Sequence, residues 1–212
     1  MKYSDQIGLW LKDLGYTHYF YVGGGNIMHL TESFDRYLRG VPVIHEVAAG
    51  IAAEYFNEIK NGEQKALALV TTGPGITNIV TAVAGAWLES RELLVIGGQV
   101  KVSDLSNGDV RGRGIQEIDG VSLMSSITKN SYQICKPIGA EQFKSLIDTS
   151  WTPRKGPVFL EIPLNVQAID VDKENLPHNT ELYLPKITNS ELKKIVELYN
   201  SSQCPILLVG GG

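Results

Sequence analysis

"KALALVTTGPGITNIVTAVAGAWLES" (65–90) places an apolar run, a glycine loop and a helical pattern directly after one another. The continuous apolar run at 65–70 is typical of a strand buried on both faces, as in a parallel sheet. The loop around Gly73 and Gly75 suits a turn that another molecule can approach closely. The small residues that follow predict a tightly packed helix. Together these features predict one strand, loop and helix unit of an α/β fold.

Similar units recur on both sides of this stretch. Apolar runs at 18–25, 41–45, 92–100 and 157–163 alternate with helical patterns at 7–14, 26–38 and 46–58. Strands that are apolar on both faces and alternate with helices predict a doubly wound, mainly parallel sheet with helices on both faces. We assign this domain to residues 1–170.

The end of the sequence has a different character. Residues 171–188 are polar, contain proline and lack a clear period, which predicts a linker. A helical pattern then leads to Pro205, a short apolar run and a glycine turn. One helix and one strand are too little to bury a core, so 189–212 is interpreted as the truncated start of a second α/β domain. We therefore expect the chain to be a piece of a longer protein.

Composition argues against several classes of partner. The net charge is −4, and the lysines and arginines are scattered along the 212 residues rather than grouped. This pattern indicates no nucleic-acid-binding stripe, and no apolar run is long enough to span a membrane. We expect a cytoplasmic protein. The isolated Cys135 and Cys204 have no zinc-site spacing, and no metal ligands are predicted in this chain.

Three glycine turns are predicted at one edge of the sheet. Gly23–Gly25, Gly73–Gly75 and Gly97–Gly98 each follow a candidate strand, and open α/β sheets bind ligands outside the carboxyl ends of their strands. None of the three has the spacing of a dinucleotide or P-loop fingerprint. A single glycine turn is more often only a turn, but three together favour a ligand-binding edge.

Glu46 lies where the candidate strand 41–45 meets the helical pattern, at the same edge. An ionised carboxylate among apolar residues needs a partner, although an acid in the first turn of a helix also has favourable electrostatics without any chemical role. The helix has a face of apolar residues, Ala48, Ile51, Ala52 and Tyr55, and a face of small ones, Ala49, Gly50 and Ala53. The small face suggests close approach by another chain or a cofactor.

Five blocks carry a resemblance to a known family. They are "HEVAAGIAAEY" (45–55), "TTGPGITNIVTAVAGAWLES" (71–90), "LLVIGGQV" (93–100), "GIQEID" (114–119) followed by "SITKNSY" (126–132), and "KGPVFLEIPLNV" (155–166). In this order they resemble the N-terminal, pyrimidine-binding domain of thiamine-diphosphate-dependent enzymes, most nearly the acetolactate synthase-like branch. The resemblance covers roughly residues 1–170.

The resemblance implies roles for five residues of this sequence. Glu46 would hydrogen-bond N1′ of the cofactor's aminopyrimidine and so activate the cofactor. Pro74 and Asn78 would lie near the pyrimidine, and Gly24 would form the opposite wall. Gln116 would face the reacting end of the cofactor and hydrogen-bond a substrate oxygen.

The resemblance also implies an activity and partners. The expected protein is a thiamine-diphosphate-dependent 2-keto acid decarboxylase or carboligase, hence a transferase or lyase, that forms a homodimer or homotetramer. Mg²⁺ would be held by the family's C-terminal domain, which is missing from these residues, so this chain alone is expected to be inactive. FAD stays open, because Leu164 stands where typical synthases carry a lysine near flavin.

Two other functions remain as alternatives. One is a non-catalytic α/β dimerisation or regulatory module that keeps the scaffold without chemistry. The other is a nucleotide-binding module that uses the "VGGG" turn at 22–25. Either would leave Glu46 without a chemical role.

Overall fold

The computed structural model describes residues 1–177 and 187–208. Within these ranges six strands form one parallel sheet: Tyr16–Tyr21 (β1), Arg39–Pro42 (β2), Lys65–Val70 (β3), Leu93–Gln99 (β4), Asn130–Gln133 (β5) and Pro157–Pro163 (β6). The strand order is β2-β1-β3-β4-β6-β5, and every neighbouring pair is parallel. The α/β sheet predicted from the alternating pattern is confirmed.

Helices cover both faces of this sheet. They are Tyr3–Asp13 (α1), Met28–Phe34 (α2), Glu46–Lys60 (α3), Pro74–Leu88 (α4), Gly120–Met124 (α5), Ala140–Asp148 (α6) and Leu164–Gln167 (α7), and Asn189–Ser201 (α8) follows the domain. The core under α1, α2, α6 and α7 contains large side chains such as Trp10 and Phe143, whereas the core under α3, α4 and α5 is rich in alanine. The doubly wound arrangement is therefore confirmed.

Both cores draw on the central strands because successive strand residues point to opposite faces. Leu67 and Leu69 of β3 enter the core under α1, while Ala66, Ala68 and Val70 enter the core under α3 and α4. All of these side chains are buried. This explains why β3 is a continuous apolar run rather than an alternating one.

Several predicted boundaries were wrong. The strand expected at 41–45 is Arg39–Pro42, and Ile44 is fully exposed in the turn before α3. Gly97 and Gly98 lie inside β4 rather than in a turn, because their lack of a side chain lets neighbouring groups lie against the strand. The edge strand β5 (Asn130–Gln133) was missed, since "NSYQ" is polar and only partly buried.

The sequence suggested that the small face of α3 is approached by a cofactor or another chain, but this face packs against the domain itself. Its residues Ala49, Gly50 and Ala53 are buried. A Cβ added to Gly50 would lie 2.5 Å from Cβ of Ala82 on α4. The small residues therefore let two neighbouring helices of the same domain pack closely.

Residues near the end of the domain are tied to its beginning. The Tyr3 N–H donates to the carbonyl of Ile169, and the Val171 N–H donates to the carbonyl of Met1. Gln6 Nε2 and Trp10 Nε1 both donate to the carbonyl of Glu174, at 2.8 and 2.9 Å. The chain therefore remains part of the packed domain as far as Glu174.

The second described range is separate in character. Every residue from 187 to 208 is exposed, α8 included. The strand expected after Pro205 is not formed at 205–208, and the glycine turn expected after it and His178 lie outside the described residues. No helix in either described range is long and apolar enough to cross a membrane.

Candidate functional site

The candidate site lies where the sheet changes its direction of winding. From β1 the chain passes to β2 on one side of it and then to β3 on the other. The loops after β1 and β3 therefore lie side by side at the carboxyl edge and lead to helices on opposite faces of the sheet, which is where open α/β sheets bind ligands. The two loops meet at Gly24, whose missing Cβ would lie only 2.4 Å from Cβ of Thr71.

Glu46 is the first residue of α3 and is 7% exposed. Asn78 Nδ2 on α4 donates a 2.9 Å hydrogen bond to its Oε2 atom. Among the described residues, no group donates to the other oxygen, Oε1. That oxygen faces Gly75, where a Cβ would stand 3.6 Å away. The carboxylate therefore has one oxygen bound by Asn78 and one that lies beside Gly75 without a donor among the described residues.

The helix start around Glu46 is defined by the preceding residue. His45 occupies the N-cap position, and its Nδ1 atom accepts the backbone N–H of Val47 at 3.2 Å. The helix dipole places positive potential at this end, which favours a carboxylate there. His45 thus has a structural part in the turn that positions Glu46.

Gln116 lies on the other side of the glycine loop. Its backbone has φ +60, an uncommon value for a residue other than glycine. Its carbonyl carbon and oxygen and its Cβ lie against Gly73, where an added Cβ would come within 2.5 Å of the carbonyl oxygen. Thr72 Oγ1 is 3.4 Å from the same oxygen. The glycine loop therefore contacts Gln116 at Gly73 and Glu46 at Gly75.

Glu117 organises the loop that carries Gln116. Its carboxylate accepts backbone N–H groups of Ser106 and Arg113, both at 2.6 Å, and of Gly114 at 3.1 Å. Burial acts to raise the pKa of Glu117, but the hydrogen bonds outweigh it and lower the pKa to about 2. The charged carboxylate of Glu117 therefore holds the loop together directly beside Gln116.

The five residues singled out from the sequence all lie at this edge. Gly24, Glu46, Pro74, Asn78 and Gln116 come from four separate segments, and Pro74 is the first residue of α4. Sequence reasoning overlooked the polar groups beneath them, namely Thr72, Gln99, Gln133 and Glu161. The signal for Glu161 was present, since it is a charged residue inside the apolar run 157–163.

Two cavities flank different ends of the sheet. A cavity of about 760 Å³ lies at the amino ends of the central strands, beside Arg91 and Trp151. A smaller one of about 340 Å³ lies at the carboxyl edge, between the loop that includes Arg111 and the ends of β4 and β5. Neither cavity is lined by any of the five candidate residues, so the cavities do not mark the site.

Comparison with known proteins identifies the family. Residues 1–123 match the family model described as "Thiamine pyrophosphate enzyme, N-terminal TPP binding domain", and this is more than half of the 212 residues. The chain belongs to the thiamine pyrophosphate enzymes. Glu46, the glycine loop and Gln116 all fall inside the region of the chain that the family model matches.

Curated relatives narrow the resemblance to one branch. The chain is 33% identical over 199 residues to the "Probable acetolactate synthase large subunit" of Methanocaldococcus jannaschii, covering 91% of this chain and 32% of the relative. It is 32% identical over 210 residues to the acetolactate synthase large subunit of Lactococcus lactis, covering 95% and 35%. It is 28% identical over 195 residues to the acetolactate synthase isozyme 1 large subunit of Escherichia coli, covering 90% of this chain and 34% of the relative. The chain is acetolactate synthase-like and spans about a third of the length of these relatives.

Proposed function

We propose that this domain binds the aminopyrimidine of thiamine diphosphate in an acetolactate synthase-like enzyme that decarboxylates a 2-keto acid and joins the product to a second carbonyl compound. The observation that carries the proposal is the environment of Glu46. The carboxylate is nearly buried, one oxygen is bound by Asn78, and the other faces the glycine loop. An acid held in this way has one oxygen without a donor among the described residues, and a ring nitrogen of a bound cofactor would supply one.

The residues at this edge fit such a ring. Gly24 and Gly75 both pack against Thr71, which brings the loops after β1 and β3 together beside Glu46. Glu46 Oε1 would hydrogen-bond a ring nitrogen, while Asn78 keeps the carboxylate in the required orientation. Pro74 adds an exposed apolar surface at the start of α4.

The chemistry is divided between cofactor and protein. Bound thiamine diphosphate supplies a carbon nucleophile and an electron sink for decarboxylation. Glu46 would act as a general acid and base through its hydrogen bond to the ring nitrogen. Gln116, held on the far side of Gly73, would donate a side-chain hydrogen bond to a substrate oxygen.

The rest of the site would come from outside this domain. We propose that another part of the full-length protein holds the diphosphate and Mg²⁺, in line with the threefold greater length of the relatives. FAD is not part of the proposal, because Leu164 provides no cation to hold it. On this proposal, residues 1–212 by themselves do not catalyse the reaction.

A second copy of the protein is proposed to cover the outer face of α3. Ile51, Tyr55 and Ile59 on this face are 43%, 50% and 76% exposed, and they belong to the helix that begins at Glu46. We expect a dimer or tetramer by light scattering, and Ile59→Lys should give a smaller species. An unchanged mass for this variant would contradict the placement.

The test of the proposed function uses the full-length protein. Carbon dioxide release from pyruvate and a panel of other 2-keto acids is followed with thiamine diphosphate and Mg²⁺. We expect Glu46→Gln to lower turnover by roughly 100-fold or more, because it removes the group that exchanges a proton. Glu58→Gln is the matched control, since Glu58 lies on the same helix with its side chain 55% exposed.

The outcomes separate the alternatives. Cofactor-dependent turnover that is lost in Glu46→Gln and kept in Glu58→Gln supports the proposal, provided that both variants fold. Equal activity of the two variants, or turnover without cofactor, excludes Glu46 from the mechanism. If the protein neither binds thiamine diphosphate nor turns over any substrate, the non-catalytic module is favoured.

A further inference from the structure

A buried acid lies behind the site and has no part in the function proposed above. Glu161 on β6 is fully buried. Its Oε1 atom accepts a hydrogen bond from Gln99 Nε2 on β4 at 3.0 Å, and its Oε2 atom accepts one from Gln133 Nε2 on β5 at 2.5 Å. The acid therefore joins three neighbouring strands near their carboxyl ends.

The amide of Gln99 can have only one orientation here. Its Oε1 atom accepts the backbone N–H of Val100 at 2.8 Å, and a backbone N–H can only donate. Its Nε2 atom must therefore face Glu161, and it also donates to the carbonyl of Ile118 at 2.8 Å. Glu161 thus adds a hydrogen bond to the Gln99 amide, whose oxygen and nitrogen atoms both also bind backbone groups.

The same amide connects Glu161 to the candidate site. Gln99 Oε1 accepts a 2.9 Å hydrogen bond from the hydroxyl of Thr72. That hydroxyl has one proton, so its oxygen then only contacts the carbonyl oxygen of Gln116, which is 3.4 Å away. The Ile118 carbonyl bound by Gln99 lies two residues further along the same loop. The contacts therefore run from a buried acid through one amide to the Ile118 carbonyl by a hydrogen bond and, by way of Thr72, to the Gln116 carbonyl by packing.

The backbone of Gln116 needs such support. A residue other than glycine with positive φ stores strain, and this persists only where the surroundings hold it. Glu117 holds the loop from its outer side through three backbone N–H groups. Thr72, Gln99 and Glu161 lie on its inner side, where the loop meets the sheet.

We propose that Glu161 is a positioning residue, which holds through Gln99 and Thr72 the loop that presents Gln116 to the substrate. This inference rests on the proposed function, because it assigns Glu161 an effect on the same reaction. It gives a reason for an acid in a strand that is otherwise apolar, where a charge without partners would be costly.

The arrangement can hold in either protonation state of Glu161. Burial raises the pKa of Glu161 to about 7, with Asp119 adding to the shift. The titratable groups that face it are Asp119 on the α5 side and Cys135 after β5, while β4 contributes the neutral amide of Gln99. A proton on Oε2 can be accepted by Gln133 if that amide rotates, and Oε1 still accepts from Gln99.

Two substitutions of Glu161 should differ in their effect on catalysis. Glu161→Gln can keep an acceptor oxygen toward Gln99, whereas Glu161→Leu cannot. In the full-length protein with saturating thiamine diphosphate, we expect the Leu variant to lose roughly 10-fold or more in kcat/KM and the Gln variant to stay within about 3-fold of wild type.

Thr72→Val removes the hydroxyl with little change in shape and should lower kcat/KM by roughly 3- to 10-fold. Thr81→Val, on the exposed side of α4, is its control.

A second measurement tests whether the effects of the Glu161 and Thr72 substitutions are coupled. Values of kcat/KM are taken per mole of folded protein, and the double variant Glu161→Leu/Thr72→Val is compared with the two single variants. Losses smaller than the product of the single effects support a shared line of contacts. Independent losses, or normal kcat/KM in both the Leu and Val variants, overturn the proposal. The Val variant keeps the test informative if the Leu variant fails to fold.

Hydrogen exchange distinguishes failure of this inference from failure of the proposed function. We expect amides at 112–119 to exchange at least about 10-fold faster in Glu161→Leu or Thr72→Val than in wild type or Thr81→Val. Unchanged exchange overturns the positioning role even if no 2-keto acid is turned over. Faster exchange in a protein without that activity supports the contacts to the loop but rejects their link to the reaction.

Discussion

Gly73 stands where one added methyl group would reach the backbone of Gln116. Its φ is +65, and an added Cβ would lie 2.5 Å from the Gln116 carbonyl oxygen. We expect Gly73→Ala to lower the free energy of unfolding by about 2 kcal/mol or more, from backbone strain and the clash together. Chemical denaturation followed by circular dichroism measures this.

Gly85 provides the matched control for that substitution. It lies within α4, and a Cβ there would meet nothing within 4 Å. We expect Gly85→Ala to raise stability by about 0.5–1 kcal/mol, since alanine favours a helix over glycine. Similar changes in the two variants would show that the contact with Gln116 is not what constrains Gly73.

Glu161 predicts a pH dependence of stability with a definite sign. Burial raises its pKa from 4.5 to about 7, so the folded protein holds this proton more tightly than the unfolded chain. The resulting stabilisation is complete below pH 4.5 and is lost as the pH rises through 7. We therefore expect Glu161→Gln to gain about 3 kcal/mol relative to wild type between pH 4.5 and pH 8.

Urea denaturation of both proteins across this pH range measures that difference. Using the difference removes the contribution of groups that titrate in both proteins, including Glu117, whose pKa shifts downward. A stability difference that is the same at all pH values would show that Glu161 does not titrate there.

At the scale of elements, α3 shows what a helical pattern can and cannot tell. The sequence correctly placed the start of this helix at Glu46 and separated its small face from its apolar face. It did not identify which face is buried. Because Gly50 lets α4 approach, the small face enters the core, and the apolar face with Ile51 and Tyr55 is left exposed.

The contact between α3 and α4 predicts an effect on stability opposite in sign to that of helix propensity. A Cβ at Gly50 would be 2.5 Å from Cβ of Ala82 and 3.2 Å from Cγ1 of Ile79. We expect Gly50→Ala to destabilise the protein by about 1–3 kcal/mol, because overpacking outweighs the better propensity of alanine. Thermal unfolding measures the effect.

A second substitution tests whether the contact is the cause. Ala82→Gly removes the atom that would clash, so the double variant Gly50→Ala/Ala82→Gly should be more stable than the sum of the two single effects. Additive effects would instead indicate that the cost of Gly50→Ala arises elsewhere.

At the scale of the whole molecule, the two ends of the domain stabilise each other. Ile169, Val171 and Glu174 are bonded to residues of the first helix or the residues just before it. In contrast, residues 187–208 are all exposed. The boundary of the stable unit should therefore fall after Glu174.

Two shortened chains test this boundary. We expect residues 1–177 to unfold at nearly the same temperature as residues 1–212. Residues 1–168 lose these hydrogen bonds and the packing of Val171 and Leu176 against the core, and should unfold roughly 5–15 °C lower. Equal midpoints for 1–168 and 1–177 would show that these contacts contribute little.

The assembled site depends on this scale as well. Gly24, Glu46, Pro74 and Gln116 are far apart in sequence, and the strand order brings them to one edge. The sequence indicated that edge because glycines follow predicted strands. It did not indicate that Gly98 lies inside β4, with a missing Cβ that would be 2.2 Å from the carbonyl oxygen of Asn26.

Local pattern alone therefore accounts for the fold class, most strands and the helix start at Glu46. Each depends on hydrophobic periodicity and turn residues, which act between neighbours along the chain. The burial of α3's small face, the edge strand β5 and the contacts from Glu161 to Gln116 were not accessible in this way. They depend on which distant segments meet, and a polar residue such as Glu161 or Gln99 gains its role only from the partners that folding brings to it.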